Sequence, residues 1–197
     1  MSKAEKTRQF IIEKTAGLFN KKGFAGTSMF DLTEATGLSK GALYGNFKNK
    51  DEIALAVFEH NTKIVREDLI ASLAKVTGAV NKLLAIPVYY KAIFPAVSAH
   101  GGCPILNTAV EADDSLPALR QKVNEVIETW KNNIVNTIAG GIASGEMKPV
   151  DNPAKYAAII IALFEGGVLL AKSTGDTAFL DACLERITTI VQTELAS

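Results

Sequence analysis

Lys40, Tyr44, Lys48 and Lys50 fall within eleven residues of one another, in the stretch TGLSKGALYGNFKNKDE that covers residues 36–52. Three ammonium groups and a phenol hydroxyl interleaved with Gly41 and Gly45 suit the holding of a polyanion. The cations meet phosphate, the hydroxyl donates, and a bare backbone allows close approach. A second group, Cys103 with His100 and Asp113, is the nearest approach to a nucleophile constellation in the chain. Nothing else supports catalysis: the sequence has no phosphate-cradling glycine loop and no nucleophile elbow. His60, His100, Cys103 and Cys183 lack metal-ligand spacing. No enzyme activity, cofactor or metal is expected. Cys103 does precede Pro104 at a helix start, where backbone amides and the helix dipole lower a thiol pKa, so an oxidant- or electrophile-sensing role stands as the alternative to an inert packed thiol.

The elements that must hold the basic stretch are helical. Between Ala4 and Lys22, Ile11, Ile12, Thr15, Leu18 and Phe19 recur at helical spacing, and Gly23 ends the pattern. Ser28 offers an N-cap oxygen, with Asp31 favoured in the first turn of a short helix that Gly37 stops. Ser39 caps a second short helix over Lys40 to about Phe47. Leu43 and Phe47 share its inner face, which turns Lys40, Gly41, Tyr44 and Gly45 outward. Two short helices joined by a tight turn and held by a third are the arrangement of a helix-turn-helix, whose second helix can lie in the major groove, although the same geometry also occurs in packing modules. Lys48 and Lys50 flank that helix within phosphate reach.

Composition agrees with a basic head on a neutral-to-acidic body. The 197 residues carry no net charge, yet residues 1–50 hold nine Lys/Arg against four Asp/Glu, a balance of +5, and the remainder balances it at −5. Only two cysteines, no apolar N-terminal leader and no uninterrupted apolar run of membrane-spanning length point to a soluble, cytoplasmic protein without a membrane partner.

The stretch FNKKGFAGTSMFDLTEATGLSKGALYGNFKNKDEIALAVF closely resembles the N-terminal domain of the tetracycline-repressor-like (TetR) family of bacterial transcriptional regulators. The likeness spans roughly residues 8–60 and rests on Gly23, Phe24, Thr27, Gly37, Leu38, Tyr44, Phe47, Lys50 and Glu52. It implies an all-α chain of about nine helices: a helix-turn-helix domain over residues 1–48 and a helical effector-binding and dimerisation domain over residues 49–197. It further implies a homodimeric repressor that binds a palindromic double-stranded DNA operator and is released by a small effector. Carried over by position, Ser28 and Met29 lie against the DNA backbone, and Ser39, Lys40 and Gly41 face bases. Tyr44 and Asn46 reach phosphates or base edges, and Lys50 holds a phosphate. Gly45 departs from the bulkier residue common there.

In the body, helices are expected at Asn49 to Lys75, Ala79 to Phe94 with a bend at Pro87, Pro104 to Ala112, Pro117 to Ser144, Pro153 to Lys172 and Thr177 to Leu195. The Pro153 helix is apolar nearly all round, and the resemblance implies that it pairs with the last helix in an intermolecular four-helix bundle. Ile160, Phe164, Gly167, Val168, Leu180, Leu184, Ile187 and Val191 are the expected dimer contacts. Tyr90, Phe94, Trp130 and Phe164, with Cys103, Asn107, Glu111 and Asn133, are the candidate lining of a pocket for an apolar effector.

Overall fold

Ser2 accepts the amide of Glu5 and Glu5 reaches back to the Ser2 amide, a reciprocal cap that opens α1 (Lys3–Lys22). The computed structural model describes residues 2–112 and 116–197. Asp113, named above beside Cys103 and His100, lies outside the described residues. Helix α1 turns Ile11, Thr15 and Phe19 inward and ends at Gly23. A second reciprocal cap, Ser28 with Asp31, opens α2 (Met29–Thr36), which stops at Gly37 in the left-handed region (φ 67°). Ser39 caps α3 (Lys40–Tyr44), shorter than the sequence pattern suggests, although turn hydrogen bonds continue as far as Phe47 N–H to Leu43 O. Asn49 Oδ1 accepts the Glu52 amide at the start of α4 (Lys50–Leu73). The side chains of Ile11, Phe19, Leu32, Leu43, Phe47, Ile53, Ala54 and Val57 merge into one buried cluster.

Helix α5 (Ala79–Ala99) runs past both Pro87 and Pro95, so it does not stop at Phe94. It is followed by α6 (Pro104–Ala112), α7 (Pro117–Ala143), α8 (Pro153–Thr174) and α9 (Ala178–Thr189). The final helix departs from expectation by ending as a π-helical turn, Ile190–Leu195. Its wider turn buries Ile190, Val191 and Leu195 together. Lys148 N–H to Leu195 O and Ser197 N–H to Glu146 O then pin the C-terminal residues to the loop after α7.

The chain divides into two compact units, Met1–Val65 with His100–Asn124, and Arg66–Ala99 with Glu125–Ser197. In the first, α6 packs against the end of α1. In the second, α8 packs along α9, where a Cβ on Gly167 would lie 3.0 Å from Cys183 Cβ and 3.2 Å from Leu180 Cα. By length and composition α8 is apolar enough to cross a membrane, and a third of its most apolar window is buried within the chain.

Candidate nucleic-acid interface

Helix α3 is only five residues long, too short to be stable by itself, so its neighbours must hold it. Leu43 and Phe47 anchor its inner face in the core. Arg8 of α1 locks the far end. One guanidinium nitrogen donates to Asn46 O at 2.7 Å, the other to Glu52 Oε1 at 2.8 Å, and the group lies 3.9 Å from the Phe47 ring centroid. At the other side of the turn Lys22 Nζ meets Asp31 Oδ1 at 2.6 Å. The Lys22 hydrogen bond first, and those from Ser28 second, hold the Asp31 carboxyl well below the usual carboxylate range. The Lys48 amide first, and Arg8 second, likewise lower the Glu52 pKa. Arg8 was not singled out in the sequence. Its position on the solvated side of α1 offers no periodic signal, and the partners it joins are 38 and 44 residues away.

On this scaffold the outer face of α3 has the predicted composition. Lys40, Gly41 and Tyr44 are exposed, Tyr44 by 44% of its surface, with Lys40 Nζ 5.9 Å from the Tyr44 ring centroid. A Cβ on Gly41 would meet nothing closer than Ser39 Oγ at 3.8 Å, so the fold itself has no need of a glycine there. A helical glycine costs roughly 0.5–1 kcal/mol relative to Ala, and the packing around Gly41 does not account for it. Gly45 has ordinary helical angles (φ −73°, ψ −17°), and an added Cβ would meet Gly41 O at 3.4 Å. Lys48 is exposed beside the helix.

Three of the expected contact residues are engaged within the fold, Lys50 and Asn46 by hydrogen bonds and Met29 by packing. The Lys50 ammonium is held by the backbone: Nζ donates to Phe24 O at 2.8 Å and Thr27 O at 2.9 Å, 4.0 Å from the Phe24 ring centroid. The carbonyls of Phe24 and Thr27, between α1 and α2, hold that cation, so Lys50 closes the fold. Met29 is half-buried against the core. Asn46 donates from Nδ2 to Ala42 O at 2.9 Å, which turns the amide back along its own helix. Ser28 and Ser39 are exposed, and each hydroxyl oxygen accepts a cap hydrogen bond, from the Asp31 and Ala42 amides. Phe30, absent from the sequence-based set, is 73% exposed on the α2 face away from Leu32 and Thr36.

The expected pocket residues are divided between the two units. In the first unit, Asn107 Nδ2 donates to Gly101 O at 2.8 Å and to Asn20 O at 3.1 Å, while the Glu111 carboxylate accepts the Phe24 amide. These side chains fasten α6 to the end of α1, and the cleft beside them measures only about 30 Å³. Cys103 is buried, 8% exposed, which removes the access that a sensor thiol requires. In the second unit, Tyr90 and Phe164 stack at 3.9 Å and Trp130 meets Phe164 edge-on at 5.5 Å, so Tyr90, Phe94 and Phe164 are packed core. Only Trp130 and Asn133 line an open groove, of about 720 Å³, formed by the ends of α4, α5 and α7.

The expected dimer contacts are also corrected. All eight, from Ile160 to Val191, are buried within the single chain, Gly167 against Leu180 and Cys183 of α9 and Phe164 against Tyr90 and Trp130. A second apolar stripe lies on the other side of α8: Ile159, Ala162, Leu169 and Leu170 are exposed, around a Gly166 whose Cβ would meet nothing within 4 Å. Phe179 of α9 is 42% exposed. The periodicity registered both stripes, but it does not say which of them the chain itself covers.

Residues 11–57 match the family described as bacterial regulatory proteins, tetR family, and residues 79–187 match the tetracyclin repressor-like C-terminal domain. A solved TetR-family transcriptional regulator from Cytophaga hutchinsonii is 43% identical, with 97% of this chain and 96% of that one covered and a TM-score of 0.92. Another, from Chloroflexus aurantiacus J-10-FL, is 36% identical over 100% and 99% of the two chains, with a TM-score of 0.90. The HTH-type transcriptional repressor DhaR of Mycobacterium sp. (strain GP1) is 24% identical over 90% of this chain and 88% of its own.

Proposed function

The chain belongs to the tetR family of bacterial regulatory proteins, DNA-binding transcriptional regulators rather than enzymes, and from that premise we propose that it is a cytoplasmic homodimeric repressor released from a palindromic operator by a small effector. The observation that carries the reading is the exposed Lys40–Gly41–Tyr44 face of α3 on a helix whose other face is buried through Leu43 and Phe47. Residues 1–48 act as the reading head and residues 49–197 as the effector-binding and dimerising body. Lys40 reads a base edge, Tyr44 and Lys48 contact phosphates, and the unneeded glycine at position 41 lets the helix sit deep in the groove.

A second copy of the chain covers the outer stripe of α8 together with Phe179 of α9. That arrangement buries the apolar surface the monomer leaves in water and sets two heads at a fixed separation. Two half-sites require roughly 34–36 Å, or a multiple, between recognition helices. The effector occupies the groove beside Trp130 and Asn133. Its binding favours a head spacing that no longer fits the operator, with a coupling of about 1–3 kcal/mol. The test is a footprint on the DNA upstream of the protein's own gene, repeated with a panel of small molecules. A protected palindrome that opens with one of them supports the reading. Salt-sensitive binding without sequence preference would replace it with an architectural DNA binder.

A further inference from the structure

The groove in the second unit is not uniformly apolar, and its charges are unbalanced. Leu69, Leu83, Ile86, Ile134 and Trp130 supply hydrocarbon walls. Arg66 of α4 and Lys82 of α5 line the same space, and among the described residues neither side chain has a hydrogen-bond or ion-pair partner. The one carboxylate in the lining, Glu146, is already engaged: it accepts the Ala79 amide at 2.7 Å and the Ser144 hydroxyl at 3.2 Å, and so serves as a cap for α5. Two cations without a counter-ion, set against apolar walls in about 720 Å³, complement a ligand that is hydrocarbon along most of its length and negatively charged at one end. A cationic amphiphile would meet repulsion at the same rim, and a wholly apolar one would leave the charges unanswered.

We propose that the groove binds an amphipathic monoanion, an acyl or aryl carboxylate, with its carboxylate at Arg66 and Lys82 and its hydrocarbon along the α4, α5 and α7 walls against Trp130. This rests on the reading of the groove as the effector site, and it replaces the apolar effector expected from sequence with a charged one.

Trp130 is the only tryptophan in the chain, so its fluorescence reports the groove directly. The full-length protein is titrated with decanoate, decanol and decyltrimethylammonium, three ten-carbon chains that differ in head charge, each below its micelle concentration. Decanoate is expected to bind at least about tenfold more tightly than decanol, with an advantage that shrinks as salt rises, and the ammonium compound most weakly. The double variant Arg66→Gln, Lys82→Gln should keep its circular dichroism and its decanol affinity while losing the preference for decanoate. Equal or tighter binding of decyltrimethylammonium, or an undiminished decanoate preference in the double variant, overturns the anion while leaving a ligand site in place. A Trp130 signal unmoved by all three removes the groove as an effector site, and the proposal with it.

Discussion

The ammonium of Lys50 lies 4.0 Å from the ring centroid of Phe24 and donates to the carbonyl oxygen of that same residue at 2.8 Å. With Thr27 O as its second acceptor, Lys50 clasps the α1–α2 connection to the start of α4. Lys50→Ala should therefore destabilise the head by about 1–3 kcal/mol, the range for a charge-assisted hydrogen bond lost with its acceptors left behind. Urea denaturation checks this. The slope of operator affinity against salt should stay as in the parent, whereas a phosphate contact would lower it by about one.

Gly41 and Lys40 separate fold from recognition. Gly41→Ala puts a methyl into open space on a helical residue, so stability should rise by about 0.5–1 kcal/mol while operator affinity falls. Lys40→Ala should leave stability within about 0.5 kcal/mol and relax sequence preference at one operator position by about 1–3 kcal/mol. Thermal melts and binding to a set of single-base operator variants give both readouts.

The two faces of α8 predict opposite outcomes for similar substitutions. Leu169→Glu combined with Phe179→Glu should yield a folded monomer in sedimentation equilibrium, with operator binding lost. Ile160→Ala, on the inner face, should lower stability by about 2–5 kcal/mol.

Asp31 and Glu52 give the head a dependence on pH. Both carboxyls titrate below their ordinary values of 3.8 and 4.5 in the folded chain, so the unfolded state binds protons first and stability rises with pH. Their contribution is complete above those ordinary values and is lost as pH falls through the lowered ones. Melting temperature followed by circular dichroism should drop on acidification below about pH 4.5, and Glu52→Gln should flatten the upper part of that drop.

Most element boundaries were legible because caps and breakers act within a turn of the chain. Ser28 with Asp31, Gly37, Ser39 and Pro104 each declare a helix end to neighbours three or four residues away. The junction of α6 with α1 was not legible, since Asn107 meets Asn20 across 87 residues. Pro87 suggested a bend and Pro95 lay beyond the expected end of its helix, yet α5 continues through both.

The sequence alone determined the all-α architecture, the helix-turn-helix and the outward placement of Lys40, Gly41 and Tyr44, because helical periodicity and capping are short-range properties. Tertiary structure decided which charges stay available and which apolar face stays open. Lys50 and Lys48 look alike two residues apart, but only packing brings the carbonyls of Phe24 and Thr27 to Lys50. Helix α8 carries two apolar stripes, and only its packing within the chain leaves Leu169 rather than Ile160 at the surface. Those outcomes depend on partners distant in sequence, and local pattern carries no record of them.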